Sequence, residues 1–284
     1  MKFDILYYMI SLGLLSWRAH ETLEKTLSTY GKLRHLVDEA VIYFNEISAS
    51  DREIAAKYGF TAAGSSENLG IFGGTYNLVK ELKGDTMILV QNDNPVNVAP
   101  NVLASRLAAA KRLLDSGKAD MVRLRDRFDP TFSDRSKYLR FYPEDGESAS
   151  FKLLLRRFFR PFKAMRMKGR APAALERPDL RHGDIFSYED GAFITDSRFT
   201  NYSDQPFMAP HSLVSELMEY ANSHKEGSRT LNGRYVPEII INGSYWRKRR
   251  IKVAISNGVF AHARYDDSFR TGNAAYNPAI SSAQ

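Results

Sequence analysis

A doubly wound α/β fold, with one mostly parallel sheet flanked by helices in a single domain, follows from three features of this 284-residue chain. Residues 87–90, Met-Ile-Leu-Val, form an apolar run without alternation, as expected of a strand buried on both faces of a parallel sheet. Similar short runs recur between amphipathic stretches through the first half of the chain. The run at 87–90 then ends in Gln91, Asn92, Asp93 and Asn94, oxygen-bearing side chains at the carboxyl edge where open α/β sheets bind ligands.

Taken in order, residues 9–16 read as the first strand. The apolar stretch 5–17 imitates a signal peptide, but a single Lys precedes it and no small-residue cleavage site follows, so a buried strand is the expectation. Residues 20–30 carry Leu23, Leu27 and Tyr30 at helical spacing with charges between them. Residues 40–44 form a second strand, followed by a polar Asn-Glu turn and a helix over 51–58. A short strand at 60–63, a helix at 75–82, the strand at 87–90, a helix at 102–116 ended by Gly117 and a strand at 120–124 complete the rhythm. The second half is less regular, with strands and helices expected within 193–207, 213–221 and 251–264. Residues 169–181, rich in Ala, Pro and Arg, read as a mobile connector, and 267–284 as a loose tail. No apolar run approaches the roughly 20 residues needed to cross a bilayer.

Hydrophobic residues at 43% and charged residues at 26% place the chain among ordinary globular proteins. The absence of cysteine excludes disulfides and thiolate metal sites and fits a reducing compartment. A formal charge of +7 points to an anionic partner: phosphate, anionic lipid or nucleic acid. Charge concentrates in 151–170, which holds eight Lys or Arg and no acid. Phe151, Leu154, Leu155, Phe158, Phe159 and Phe162 fall near one helical face there, and Pro161 should kink or end the helix. Two readings stand: an amphipathic helix in a lipid headgroup layer, or a surface helix packed on the core.

Several residues have side chains suited to chemistry. Asp93 flanked by amides suits a divalent cation with hard oxygen ligands; the plainer reading is a polar turn. In 67–74, Glu-Asn-Leu-Gly-Ile-Phe-Gly-Gly, Gly70 and Gly74 let backbone approach a ligand near a helix amino terminus, or simply make a tight turn. The spacing is neither that of a P-loop nor that of a dinucleotide fingerprint, which argues against kinases and dehydrogenases. Asn45 and Glu46 leave the second strand at the same edge, and Ser16, Trp17 and Arg18 leave the first. Glu238, in a turn entering an apolar stretch, is either a base with a raised pKa or a salt-bridged helix-start residue. Asn201, Tyr202, Asp204 and Gln205 are dense in groups that bind hydroxyls, with Tyr202 able to stack on a ring face, or they form a polar loop with no ligand. Trp246 with Arg247, Lys248, Arg249 and Arg250 makes a basic-aromatic patch that contacts phosphate or membrane or is solvated surface. His262, taken alone, is a satisfied structural residue or a metal ligand.

The order of these segments resembles a GT-A glycosyltransferase and is similar to glycosyltransferase family 2. ISLGLLSWRAHETLEKTLSTY looks like that family's opening strand and helix, AVIYFNEISASD its second strand, and ENLGIFGGTYNL its Asn-x-Gly loop. ILVQNDN stands at the acidic metal motif, NYSDQPF at an acceptor-side segment, and RYVPEII and GVFAHARYD at the base region and late His. The resemblance spans roughly residues 10 to 266. It implies a nucleotide-sugar-binding half over 1–125 and an acceptor half over 126–266. It implies a UDP- or GDP-sugar donor held by Ser16, Trp17, Arg18, Asn45, Glu46, Asn68, Gly70, Gly74 and Asn92, with Mn2+ or Mg2+ on Asp93 and His262. Glu238 becomes the base for an inverting transfer, and Asn201, Tyr202 and Gln205 bind the acceptor, a glycan or lipid-linked hydroxyl compound. Two departures stand out. Gln91 replaces the first acid of the metal motif, and Pro237 precedes a single Glu where the family has paired acids. The implied role is polysaccharide biosynthesis in the cytoplasm, peripheral to the inner membrane face through 151–170, without specific nucleic-acid binding. The rival expectations are a nucleotidyltransferase on a related fold and a basic membrane- or nucleic-acid-binding protein.

Overall fold

The computed structural model describes residues 9–131, 133–231 and 233–265. The expected tail at 267–284 lies outside them. The strands are β1 (Ile10–Trp17), β2 (Glu39–Asn45), β3 (Thr61–Gly64), β4 (Thr86–Gln91), β5 (Met121–Arg125), β6 (Ser187–Glu189), β7 (Ala192–Asp196), β8 (Phe207–Pro210) and β9 (Lys252–Phe260). They form one sheet ordered β3-β2-β1-β4-β8-β5-β9-β7-β6. Around it lie α1 (His20–Ser28), α2 (Gly31–Arg34), α3 (Ala49–Lys57), α4 (Gly70–Glu81), α5 (Pro100–Asp115) and α6 (Asp134–Leu139). The remaining helices are α7 (Phe151–Phe159), α8 (Pro161–Lys168), α9 (Pro178–Arg181), α10 (His211–Ser223), α11 (Pro237–Ile241) and α12 (Ser244–Arg249).

The α/β class, the single central sheet and the flanking helices are as the sequence predicts, and so is the wholly parallel first half, β3-β2-β1-β4. The second half is mixed: β8 pairs antiparallel with both β4 and β5, and β7 pairs antiparallel with β6 and β9. The run Phe-Met-Ala-Pro that makes β8 is short and apolar, and such a run carries no sign of direction. Because β5 and β9 are parallel to each other and β8 inverts direction twice, the carboxyl ends of β1, β2, β4, β5 and β9 share one rim.

Side-chain alternation splits the core into two layers. Met87 and Leu89 face the layer holding Leu78 of α4 and Leu217 of α10, whereas Ile88 and Val90 face Leu23 of α1 and Leu107 of α5. All are buried, each contributing on the order of 1.5–3 kcal/mol. Local signals agree with the elements. Ser48 and Asp51 form a reciprocal capping box on α3, Pro100 opens α5, and Gly117 follows α5 with φ +65°.

Three expectations are corrected. The helix expected from 75 begins at Gly70, so Gly73 and Gly74 lie inside α4. A Cβ on Gly74 would sit 2.5 Å from the Leu15 side chain, so glycine serves there to bring helix against sheet. The expected connector 169–181 is packed: Ala171, Ala173 and Leu175 are buried, and Arg127 donates to the carbonyls of Pro172, Leu175 and Glu176. Small side chains rather than mobility explain its composition. Trp246, expected in a surface patch, is fully buried and donates to the Thr200 carbonyl at 2.7 Å. Pro161 does divide the basic segment into α7 and α8. Among the described residues no helix is long and apolar enough to cross a membrane.

Candidate functional site

At the rim, Trp17 and Arg18 close on Glu46: the indole donates to its carboxylate at 2.5 Å and the guanidinium lies at 3.2 Å. Arg18, Ala19 and Glu46 all take positive φ, which turns these segments out of the strands. The Trp17 hydrogen bond, with the charges of Arg18 and Arg234, holds the Glu46 carboxyl below its usual range despite some desolvation. Asn45 ties the rim to α4, donating to the Gly70 carbonyl at 3.2 Å and accepting from the Leu69 amide at 3.3 Å. Asn68 accepts from the Gly70 amide at 2.8 Å. Gly70 takes φ +71° beneath Arg234, whose side chain would lie 3.0 Å from an added Cβ. Ser16 is buried and its hydroxyl has no hydrogen-bond partner. The first two strands and the glycine turn therefore converge, as the sequence reading required, although Gly74 and the Asn45 side chain are occupied by packing and backbone.

Asp93 is 1% exposed just beyond β4. Its Oδ2 accepts from Arg264 at 2.7 Å and lies 3.3 Å from His262 Nε2, while Oδ1 is buried without a partner. Burial would raise its pKa, but the hydrogen bonds and charges of His262 and Arg264 outweigh that and hold it below the usual carboxylate range. Around it the Asn92 amide donates to the Leu15 carbonyl at 3.0 Å, and Asn94 accepts from the Gln91 amide at 2.8 Å. Asp93 and His262 are thus brought together. Among the described residues no group of three His, Cys, Asp or Glu is placed to hold a metal. A divalent ion would find one orphaned carboxylate oxygen and one imidazole here and would need the rest of its ligands from a substrate.

Two hydrogen-bonded chains lead from this rim to a cleft of about 550 Å³ between α6, α8, α11 and the 199–205 segment. In the first, Gln91 donates to the Asp204 carbonyl at 3.4 Å, and the Asp204 amide donates to Glu238 Oε1 at 2.9 Å. In the second, the amide of His262 donates to Asp129, which pairs with Arg125 at 3.1 Å, and Arg125 donates to Gln205. Glu238 opens α11 after Pro237 and also accepts from the Ser203 hydroxyl at 2.8 Å. Asp204 is pushed well above the carboxylate range by burial first and by the Glu238 charge second. Asn201 is exposed and accepts from Arg247 at 3.3 Å.

Tyr202 departs from its expected role. It is 2% exposed, edge-on to both Phe207 and Trp246, and bracketed by Asn242 through two 2.7 Å hydrogen bonds, so neither ring face is open to a sugar. A tyrosine in a polar segment reads as a sugar platform until its burial is known. The sequence reading also missed Arg123, Arg125, Asp129, Arg170, Arg234 and Arg264. The alternation Arg123-x-Arg125-x-Arg127 at the end of an apolar strand was the available signal, since it places Arg123 and Arg125 on one face.

No protein-family model matches the chain, and no curated protein matches it by sequence. Among solved structures it is similar to glucosyl-3-phosphoglycerate synthase from Mycobacterium tuberculosis in complex with Mn2+, UDP and glucosyl-3-phosphoglycerate. That match has 13% identity, a TM-score of 0.44, and covers 92% of this chain and 74% of that one. It is similar to S. aureus TarS 1-349 at 9% identity and a TM-score of 0.47, covering 90% of this chain and 60% of that one. A nucleotidyl transferase from Methanothermobacter thermautotroptrophicus matches at 10% identity and a TM-score of 0.43, with 87% and 86% covered. Likeness at this level says nothing about activity.

Proposed function

We propose that the chain is a glycosyltransferase that moves a sugar from a nucleotide-diphosphate donor to a hydroxyl of a glycan or lipid-linked acceptor. The observation that carries this reading is the link between rim and cleft: the 202–205 segment joins Gln91, beside Asp93, to Glu238. A leaving-group site and a base site would then be joined through one short segment, which would hold donor and acceptor in register. Ser16, Trp17, Arg18, Glu46, Asn68, Gly70 and Asn92 would hold the nucleotide, with Glu46 reading the base, Arg18 reaching phosphate and Asn45 holding the Gly70 turn in place. Asp93 Oδ1 and His262 would hold a divalent ion with help from the donor diphosphate, and Mn2+ or Mg2+ there supplies charge against the leaving nucleotide.

Both described hydrogen bonds to Glu238 fall on Oε1, which leaves Oε2 for an acceptor hydroxyl. Glu238 would take that proton as the hydroxyl oxygen attacks the anomeric carbon, inverting its configuration. Asn201 and Gln205 border the acceptor side. The exposed apolar face of α7 and its cations would rest in an anionic membrane surface, keeping the enzyme beside a lipid-linked acceptor.

Incubation with UDP- and GDP-sugars plus Mn2+ tests the reading through nucleoside diphosphate release. Asp93→Asn should lower that release about a hundredfold or more with the fold intact. Glu238→Gln should keep donor binding and lose about 10²–10⁴-fold in transfer. Full release by Asp93→Asn removes the metal assignment, and retained transfer by Glu238→Gln removes the base. Pyrophosphate release from nucleoside triphosphates would instead make the protein a nucleotidyltransferase.

A further inference from the structure

The cleft beside Glu238 is walled by cations far in excess of its acids. Seven Lys or Arg line it against two carboxylates, Asp134 and Glu238. Asp134 is already shared, by Arg170 in direct contact and by Lys137 at 3.8 Å. Glu238 is engaged by Ser203 and the Asp204 amide. Among the described residues, Arg123 and Arg247 bond only neutral groups, the Asn201 carbonyl and the Arg198 carbonyl and Asn201 amide oxygen. Lys163 and Arg166 of α8 stand at the mouth, and no ion pair to either occurs among the described residues. Burial, then the nearby Arg170 charge, lowers the Arg123 pKa to about 10, which leaves the group cationic at neutral pH. Like charges gathered in a partly desolvated hollow repel each other unless an anion joins them. The hollow also presents Ser203, Asn201 and Asn242, short polar groups of the kind that meet sugar hydroxyls.

We propose that this cleft is a binding subsite for the phosphate or diphosphate of the acceptor, gripped by Arg123, Arg170 and Arg247 with Lys163 and Arg166 at the entrance. The inference rests on the transferase reading for the word acceptor and extends it by naming the acceptor's chemistry. Arginine forks match phosphate oxygens two at a time, and a cleft of this size has room for a sugar phosphate. The anion is either a free phosphate ester or the headgroup of a phospholipid-linked glycan. The entrance is formed by α8, which follows the exposed apolar α7 after the break at Arg160.

The test is calorimetric binding of inorganic pyrophosphate to the full chain in EDTA, which suppresses metal-dependent binding at Asp93. Saturable binding is expected, weakened by salt and by about tenfold or more in a Lys163→Glu, Arg166→Glu double variant, both exposed positions, and in Arg170→Gln. Circular dichroism and thermal melting of each variant separate a lost site from a lost fold. Absence of binding to the native chain, or equal binding by the folded double variant, overturns the proposal. Vesicles carrying a polyprenyl diphosphate, compared with free pyrophosphate, give the source. Tighter binding of the vesicles assigns a lipid acceptor and equal binding a free one, and either outcome upholds the subsite. Pyrophosphate binding with no sugar-nucleotide turnover would retain the anion site while removing the transferase reading, so the two fail separately.

Discussion

His182 is 4% exposed, lies edge-on to Tyr142 at 5.1 Å, and shares a 2.9 Å hydrogen bond with the hydroxyl of Tyr138. Burial first, and then the neighbouring Lys168 charge, lowers its pKa from 6.5 to about 4. The unfolded chain therefore takes up a proton below pH 6.5 that the folded chain refuses until about pH 4. Stability from this group is full above pH 6.5 and is lost as pH falls through that window, by roughly 3 kcal/mol once pH is below about 4. Urea denaturation at pH 7.5 and 5.0 should show the fall, and a His182→Asn variant, less stable at the start, should lose most of the slope. An equal slope in the variant would assign the effect to other groups. The same comparison of burial against partners explains Asp93. A buried carboxylate that is nevertheless held ionised must be compensated, and here Arg264 and His262 compensate it.

Helix α7 has no buried residue, with Phe151, Phe158 and Phe159 each more than 70% exposed, and Phe162 of α8 is 86% exposed. Surface apolar groups at this density, with Lys152, Arg156 and Arg157 between them, favour an anionic interface over water. Replacing Phe158, Phe159 and Phe162 by Ser should sharply reduce co-sedimentation with phosphatidylglycerol vesicles. It should change unfolding free energy by no more than about 0.5 kcal/mol per site, because little packing is lost. Unchanged sedimentation, or a large loss of stability, would return the helix to a packing role. The choice between membrane face and core face was not open to the sequence, because both require the same periodicity. By contrast, the parallel half of the sheet was legible: each strand there is a short apolar run bounded by helix caps and turn residues, as at Ser48 and Gly117. The mixed half was not, since β8 and β7 owe their direction to long-range pairing. Asp93 and His262 were legible as a pair only through the family resemblance, because 169 positions of chain separate two residues that meet at 3.3 Å. Trp246 and Tyr202 were misread for a related reason, since aromatic type does not reveal depth.

Those two rings also show how the molecule holds its cleft. Trp246 of α12 donates to the Thr200 carbonyl, and Ser197 donates to the Trp246 carbonyl at 2.6 Å while accepting from the Ile251 amide at the entry to β9. Tyr202 then stands edge-on to Trp246 at 5.8 Å and is clamped by Asn242 after α11. The wall carrying Asn201 and Ser203 is thus braced from behind by one indole, in addition to Arg123 and Arg125 of β5 and Gln91 of β4, whereas the Asp93 rim is fixed through β4 and β1. Trp246→Phe would keep most of the packing but leave the buried Thr200 carbonyl without its donor, costing about 1–3 kcal/mol. Trp246→Ala would cost about 3–5 kcal/mol by opening a cavity. If rim and wall are separately supported, Trp246→Phe should raise KM for the acceptor while leaving donor KM and metal-dependent donor hydrolysis within about twofold of the native chain. Equal losses in donor and acceptor kinetics would mean that the indole supports the whole rim, and the separation of the two half-sites would have to be abandoned.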